Sequence, residues 1–91
     1  MSYYTYDPAK DRRNRANHDL SLALAALLEW DEALVWVDER YAYDELRMIG
    51  LVPKGDRIYY VAFIDRERTV HVISLRYATR REVNHYAQTY G

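Results

Sequence analysis

The sequence predicts an α+β domain on an antiparallel sheet of three to four strands, in the order β-α-α-β-β-β-α. Three observations carry the prediction. Residues 46–76 hold three β-prone stretches separated by two short polar turns, as a meander requires. Residues 8–29 hold two helical stretches, each opened by a capping residue. The chain then closes on a segment with capping-box spacing and a helical apolar stripe.

Taken in order, Tyr3-Tyr4-Thr5-Tyr6 is aromatic and β-prone, a short first strand. Asp7-Pro8 starts a polar helix over 8–18, with Asp at the N-cap and Pro where its missing N–H costs nothing. Ser21 caps a second helix over 22–29 whose apolar residues run all round, the pattern of a buried or partner-covered helix. Residues 33–37 read as a short strand or an extended approach to one, and 38–44 as a polar, tyrosine-bearing connection. The meander follows as strands 46–52, 57–64 and 69–76, with turns at 53–56 and 65–68. In the last helix Thr79 and Glu82 form the capping box. Val83, Tyr86, Ala87 and Tyr90 face the sheet, while Arg81, His85 and Gln88 face away.

Ninety-one residues, 49% apolar and 30% charged, fit one globular domain over 1–91 and leave no room for a second core. No apolar run reaches the roughly 20 residues of a membrane span. The N-terminus has neither the basic stretch nor the apolar core of a secretory signal, so a cytoplasmic location is expected. With no cysteine, disulfides and thiolate metal sites are excluded, and His18, His71 and His85 follow no metal-ligand spacing. No cofactor is expected.

The net charge of −1 hides a segregation. Residues 1–18 carry four bases against two acids, 19–45 one base against eight acids, and 46–91 eight bases against four acids. One basic face is therefore compatible with the balance, as is ordinary solvated charge.

Four sequence blocks, in order, resemble a known family. They are Asp7-Pro8-Ala9-Lys10 with Asn14 and Asn17-His18, Ser21 with its apolar helix, Glu45-Leu46-Arg47 with Gly50, and the run from Val72 to Glu82 followed by Tyr86. Together they are similar to the BrnT toxins over nearly the whole chain. The resemblance implies an RelE-like fold and metal-independent RNA cleavage within a type II toxin–antitoxin pair. It also implies a BrnA-type, DNA-binding antitoxin, through which alone the toxin would reach operator DNA. Asn17 stands where the family usually has Lys, His71 where it usually has Arg, and Tyr77 where Lys is common. Each change removes or weakens a positive charge, which favours a rival reading: a non-catalytic member that only binds its antitoxin. The acidic 19–45 segment and the apolar second helix point to a basic antitoxin covering that region.

Metal-free RNA cleavage needs a base, an acid and cations around the phosphate. With turns at 53–56 and 65–68, Arg47 faces Ala62 and Ala62 faces His71. The three form one row, its ends about 10 Å apart, with the small Ala62 leaving room for a phosphate. A one-residue slip separates them. The family resemblance also marks positions 47 and 71, so Arg47 and His71 are the catalytic candidates. The same pairing sets Arg57 and Arg76 together on the opposite face, beside Arg80 and the start of the last helix. Lys10, Arg57, Arg76, Arg80, Arg81 and His85 are the RNA-binding candidates. Plainer roles stand beside these: Arg47 paired with Glu45 or Asp44, His71 as a structural histidine, and Arg80 and Arg81 as solvated surface. Asn14 and His18 suit a brace for the following loop better than an RNA contact. Tyr59, Tyr60, Tyr86 and Tyr90 suit the core better than base stacking.

Overall fold

The computed structural model describes residues 3–40 and 44–90; part of the predicted 38–44 connection, residues 41–43, lies outside them. The elements are β1 (Tyr3–Thr5), α1 (Pro8–His18), a 3₁₀ segment (Leu22–Leu27), a 3₁₀ turn (Trp30–Glu32), β2 (Leu34–Val37), β3 (Met48–Lys54), β4 (Arg57–Arg66), β5 (Thr69–Tyr77) and α2 (Arg80–Tyr90). The order agrees with the sequence prediction except for one added strand between the helical segments and the last helix. The strand count does not: five strands form one sheet, ordered β1-β5-β4-β3-β2. The sheet is also mixed, because β1 lies parallel to β5 while the remaining pairs are antiparallel.

The second helix is a 3₁₀ segment, for a reason outside its own composition. Ala25 O accepts both from Leu28 N–H at 3.3 Å and from the Trp30 indole Nε1–H at 2.8 Å. Glu29 N–H, which an α-helix would give to that carbonyl, donates instead to Pro53 O at 2.8 Å. Leu22, Ala25 and Leu28 are buried, but Leu27 is exposed, so the segment buries one side only. Asp11 secures its start by accepting from Leu22 N–H at 2.7 Å and from the Ser21 hydroxyl at 3.0 Å. The Leu22 bond holds the Asp11 carboxyl below the usual carboxylate range against the opposing pull of burial.

Both hairpin loops are two residues shorter than the sequence suggested. Lys54 pairs with Arg57 across Gly55-Asp56, and Arg66 with Thr69 across Glu67-Arg68. Gly55, at φ 61°, takes the left-handed conformation that such a loop demands. Pro53 is inside β3, opposite Ile58, and buried. It is tolerated because β2 ends at Leu34↔Leu51, so no strand on that side needs a proline N–H.

The inner sheet face carries the main core: Val52, Tyr59, Val61, Phe63, Val70, Val72 and Leu75 pack with Leu22, Ala25 and Leu28. On the outer face Ile49 and Leu51 are also buried. Here α2 docks through Glu82 on Arg76 at 2.8 Å, His85 edge-on to Trp36, and the Tyr86 and Tyr90 hydroxyls donating to Glu32 O and Ala33 O. The predicted capping box is present, with Thr79 N–H donating to Glu82 and Glu82 N–H to Thr79 Oγ1. The predicted stripe is imperfect: His85, though exposed, meets Trp36 edge-on, while Val83 is 39% and Tyr90 56% exposed. Of the four tyrosines assigned to the core, only Tyr59 is buried.

Candidate functional site

A β-bulge decides which side chains share the outer face. Ala62 pairs with Ser74 and Phe63 with Val72, leaving Ile73 as the extra residue of β5. Before the bulge His71 faces outward; after it, Ser74 and Arg76 do. The inner side takes Val72 and Leu75, three residues apart and both buried. This corrects the expected Arg57–Arg76 cluster. Arg76 joins His71 on the outer face, stacked 3.8 Å from the Tyr60 ring centroid. Arg57 lies on the inner face, 4.6 Å from the Tyr77 ring centroid.

The predicted Arg47–Ala62–His71 row also changes. Met48 pairs with Phe63, so continuing the register by one residue sets Arg47 opposite Ile64. Ile64 pairs with His71. Both loops were misjudged by two residues, and two residues restore the same face. Arg47 and His71 therefore still flank one β4 residue, but it is the half-buried Ile64 and not the small Ala62. The phosphate-sized gap expected there is filled.

His71 Nδ1 lies 2.9 Å from Thr5 Oγ1, because β1 sets Thr5 beside His71. That hydrogen bond fixes the imidazole and leaves Nε2 as the nitrogen for other work. Nearby, Glu45 pairs with Arg66 at 2.8 Å. The Arg66 hydrogen bond holds the Glu45 carboxyl below its usual range, with the Arg66 and His71 charges adding to it.

Beside this surface a groove of about 200 Å³ is lined by Lys10, Arg13, Asn14, Asn17, His18, Ile73 and Ser74. It exists because β1 stops at Thr5 and α1 takes its place along the edge of β5. Asn14 completes the ladder there: Nδ2 donates to Leu75 O and to Leu20 O, each at 2.8 Å, and Oδ1 accepts from Leu75 N–H at 3.1 Å. Asn14 is thus the brace that the sequence allowed. Lys10, Arg13 and His18 share one face of α1 by helical spacing, and the bulge presents Ile73 and Ser74 opposite them. Only Lys10 of this set was singled out as an RNA contact. Arg13, His18 and Ser74 were missed as a group, since the groove depends on the bulge and on α1 replacing a strand; the helical spacing of Lys10, Asn14 and His18 was the one available signal.

The remaining candidates are dispersed. Arg76 is held by Glu82 in a two-pronged pair, 2.8 and 3.1 Å, with both side chains mostly covered. Burial works to raise the Glu82 pKa, and Arg76 with the Thr79 N–H outweighs it, leaving the carboxyl below its usual range. Arg80, Arg81 and His85 line a shallow groove on α2 with Asn84 and Gln88.

Comparison with known proteins agrees with this architecture. Residues 6–82 match the family described as the ribonuclease toxin BrnT of type II toxin–antitoxin systems. Among solved structures, the Brucella abortus ribonuclease toxin BrnT superposes with a TM-score of 0.64 at 24% identity, covering 88% of this chain and 100% of that one. No curated protein sequence matches. The family match spans most of the chain, and the sheet and helices superpose on a solved member: the chain belongs to the BrnT family of ribonuclease toxins.

Proposed function

We propose that this chain cleaves RNA without a metal, by general acid–base chemistry on the outer face of the sheet, and that a cognate BrnA-type antitoxin neutralises it. The observation that carries the reading is that His71 stands on the outer face of β5, three residues before the Ser74 that lines the α1–β5 groove. An imidazole fixed through Nδ1 by Thr5 stands on the strand whose bulge forms one wall of a groove carrying Lys10, Arg13 and His18. RNA follows the groove through its phosphates. His71 takes the proton from a 2′-hydroxyl, the freed oxygen attacks the adjacent phosphorus, and the bond from phosphorus to the 5′-oxygen breaks. His18, which lines the groove, gives a proton to that 5′-oxygen. Arg47 and Lys10 offset the charge that builds on the phosphate oxygens. The fold is proposed to be RelE-like, with the chain acting in the cytoplasm, where its RNA substrate is.

The test is cleavage of a defined RNA by the purified chain in excess chelator across pH 5–9. His71→Ala should lower turnover by on the order of 100-fold, the scale of a lost general acid or base. His71→Arg should keep RNA affinity but lose turnover, because a guanidinium stays protonated and cannot take the proton. Parent-like cleavage by His71→Ala, with an unchanged melt, removes His71 from the chemistry.

One observation favours a second reading, a toxin fold that only binds its antitoxin. Arg76 and Arg66 both spend their charge on carboxylates of the same chain. Absence of cleavage by every variant and the parent, with intact antitoxin binding, supports that reading.

A further inference from the structure

On the inner sheet face, away from the groove, a second pocket of about 240 Å³ is lined by Tyr4, Trp30, Val35, Phe63, Asp65 and Val70. Its walls are aromatic. Trp30 stacks on Tyr4 with centroids 5.9 Å apart and meets Phe63 edge-on at 5.1 Å. The indole is fixed by its hydrogen bond to Ala25 O and lies over Gly50, where a Cβ would come within 3.6 Å of it. The rim is acidic: Asp65 lines the pocket, and Asp31 is near enough for its charge to add to burial in raising the Tyr4 hydroxyl pKa. Among the described residues neither carboxylate is in an ion pair. The Val35 wall belongs to β2, the last strand of the sheet, where Val35, Trp36 and Val37 are 37–40% exposed.

Aromatic faces backed by carboxylates are the chemistry that holds a guanidinium or ammonium group. Phosphate-bearing RNA is repelled by the same rim. A strand edge with apolar neighbours accepts an extended segment by main-chain hydrogen bonding. The segment from 19 to 45, with eight acids against one base, supplies the matching long-range field.

We infer that the Tyr4–Trp30–Phe63 pocket receives an arginine or lysine side chain from a basic, extended segment of the protein partner, paired along β2. This deepens the reading that the chain has an antitoxin partner, and it places that partner's anchor on the face opposite the RNA groove.

The experiment titrates the ¹⁵N-labelled full chain with an end-blocked hexapeptide alternating valine and arginine, and with its valine–glutamate counterpart. The arginine peptide should saturate, shifting the Trp30 indole N–H and the backbone amides of Val35 and Asp65, while the glutamate peptide should not bind. Asp31→Asn with Asp65→Asn should weaken binding roughly tenfold, the scale of two partly exposed charge contacts. Val35→Lys, which sets a like charge on the pocket wall, should abolish it, with amide dispersion as the folding control. Equal binding of the glutamate peptide, parent-like affinity in the double variant, or no saturable binding overturns the inference. So do shifts centred on Lys10 and Arg13, the same shifts produced by oligouridylate, or a β2-mediated dimer of the free chain. RNA cleavage is not read in any arm, so loss of the catalytic reading and loss of this one are separate results.

Discussion

Replacing Asn14 with Ala tests the idea that α1 is bonded to the sheet edge as a strand would be. The side chain is 5% exposed and makes three hydrogen bonds, two of them to the backbone of the fully buried Leu75. Each bond contributes about 1 kcal/mol net, and a buried N–H left without a partner costs about 1–3 kcal/mol. Asn14→Ala should therefore cost about 3 kcal/mol. In a chain of this size that lowers Tm by on the order of 12–24 °C. Thermal and urea melts followed by circular dichroism read the loss, and hydrogen exchange of the Leu75 amide should accelerate with it. Asn14→Asp should be worse than Ala: it keeps the acceptor for Leu75 N–H but sets a carboxylate against two carbonyl oxygens. A loss under about 1 kcal/mol for Ala, or an Asp variant more stable than Ala, would refute the reasoning, since either means that the three bonds do not hold the helix.

Acid should weaken the fold in a predictable window. The carboxyls of Asp11, Glu45 and Glu82 are all held below their ordinary values of 3.8, 4.5 and 4.5, so their contribution is complete above those values and lost as pH falls through the lower folded ones. Urea melts from pH 6 to 3 should show this decline, with a shallower slope in Glu82→Gln; a parallel decline in that variant counts against the Arg76–Glu82 pair. For RNA, Lys10→Gln with Arg13→Gln should reduce the slope of log affinity against log salt by about 1.4, at about 0.7 per single-strand phosphate contact. Arg76→Gln with Glu82→Gln should leave that slope unchanged, because it removes a pair that is already neutral, and filter binding from 50 to 300 mM salt separates the two.

The local features were legible in the sequence because their causes are local. Asp7 caps α1, Ser21 caps the 3₁₀ segment and Thr79–Glu82 caps α2, each through a bond spanning two or three residues. What was not legible depends on distant partners. Pro53 read as a turn residue, and only the early end of β2 explains why it sits within a strand. The Leu-Ala run read as an α-helix until Pro53 O and the Trp30 indole competed for its hydrogen bonds. The bulge at Ile73 leaves no mark in composition, yet it moves Arg76 to the face of His71 and shapes one wall of the groove. Arg47 and His71 were placed on one row by two loop errors of equal size. Had only one loop been misjudged, the face would still have been right but the row wrong, because a strand repeats every two residues.

The groove and the aromatic pocket lie on opposite faces, yet three residues connect them. Successive side chains of a strand point to opposite sides, so Tyr4 and Thr5 of β1 cannot share a face. Tyr4 is a wall of the aromatic pocket, and Thr5 holds His71 Nδ1. β1 is the edge strand beyond β5, three residues long. A segment filling the pocket and pressing on Tyr4 therefore acts on the same strand that orients the proposed catalytic imidazole. Inhibition by this route needs β1 to have two arrangements, one of which withdraws Thr5 from His71. If β1 has only one, the proposed inhibition needs a partner anchored on the inner face to extend around the sheet edge and cover the groove. The two cases differ at one atom pair. In the first, the Thr5–His71 hydrogen bond is broken in the complex; in the second it persists beneath the partner.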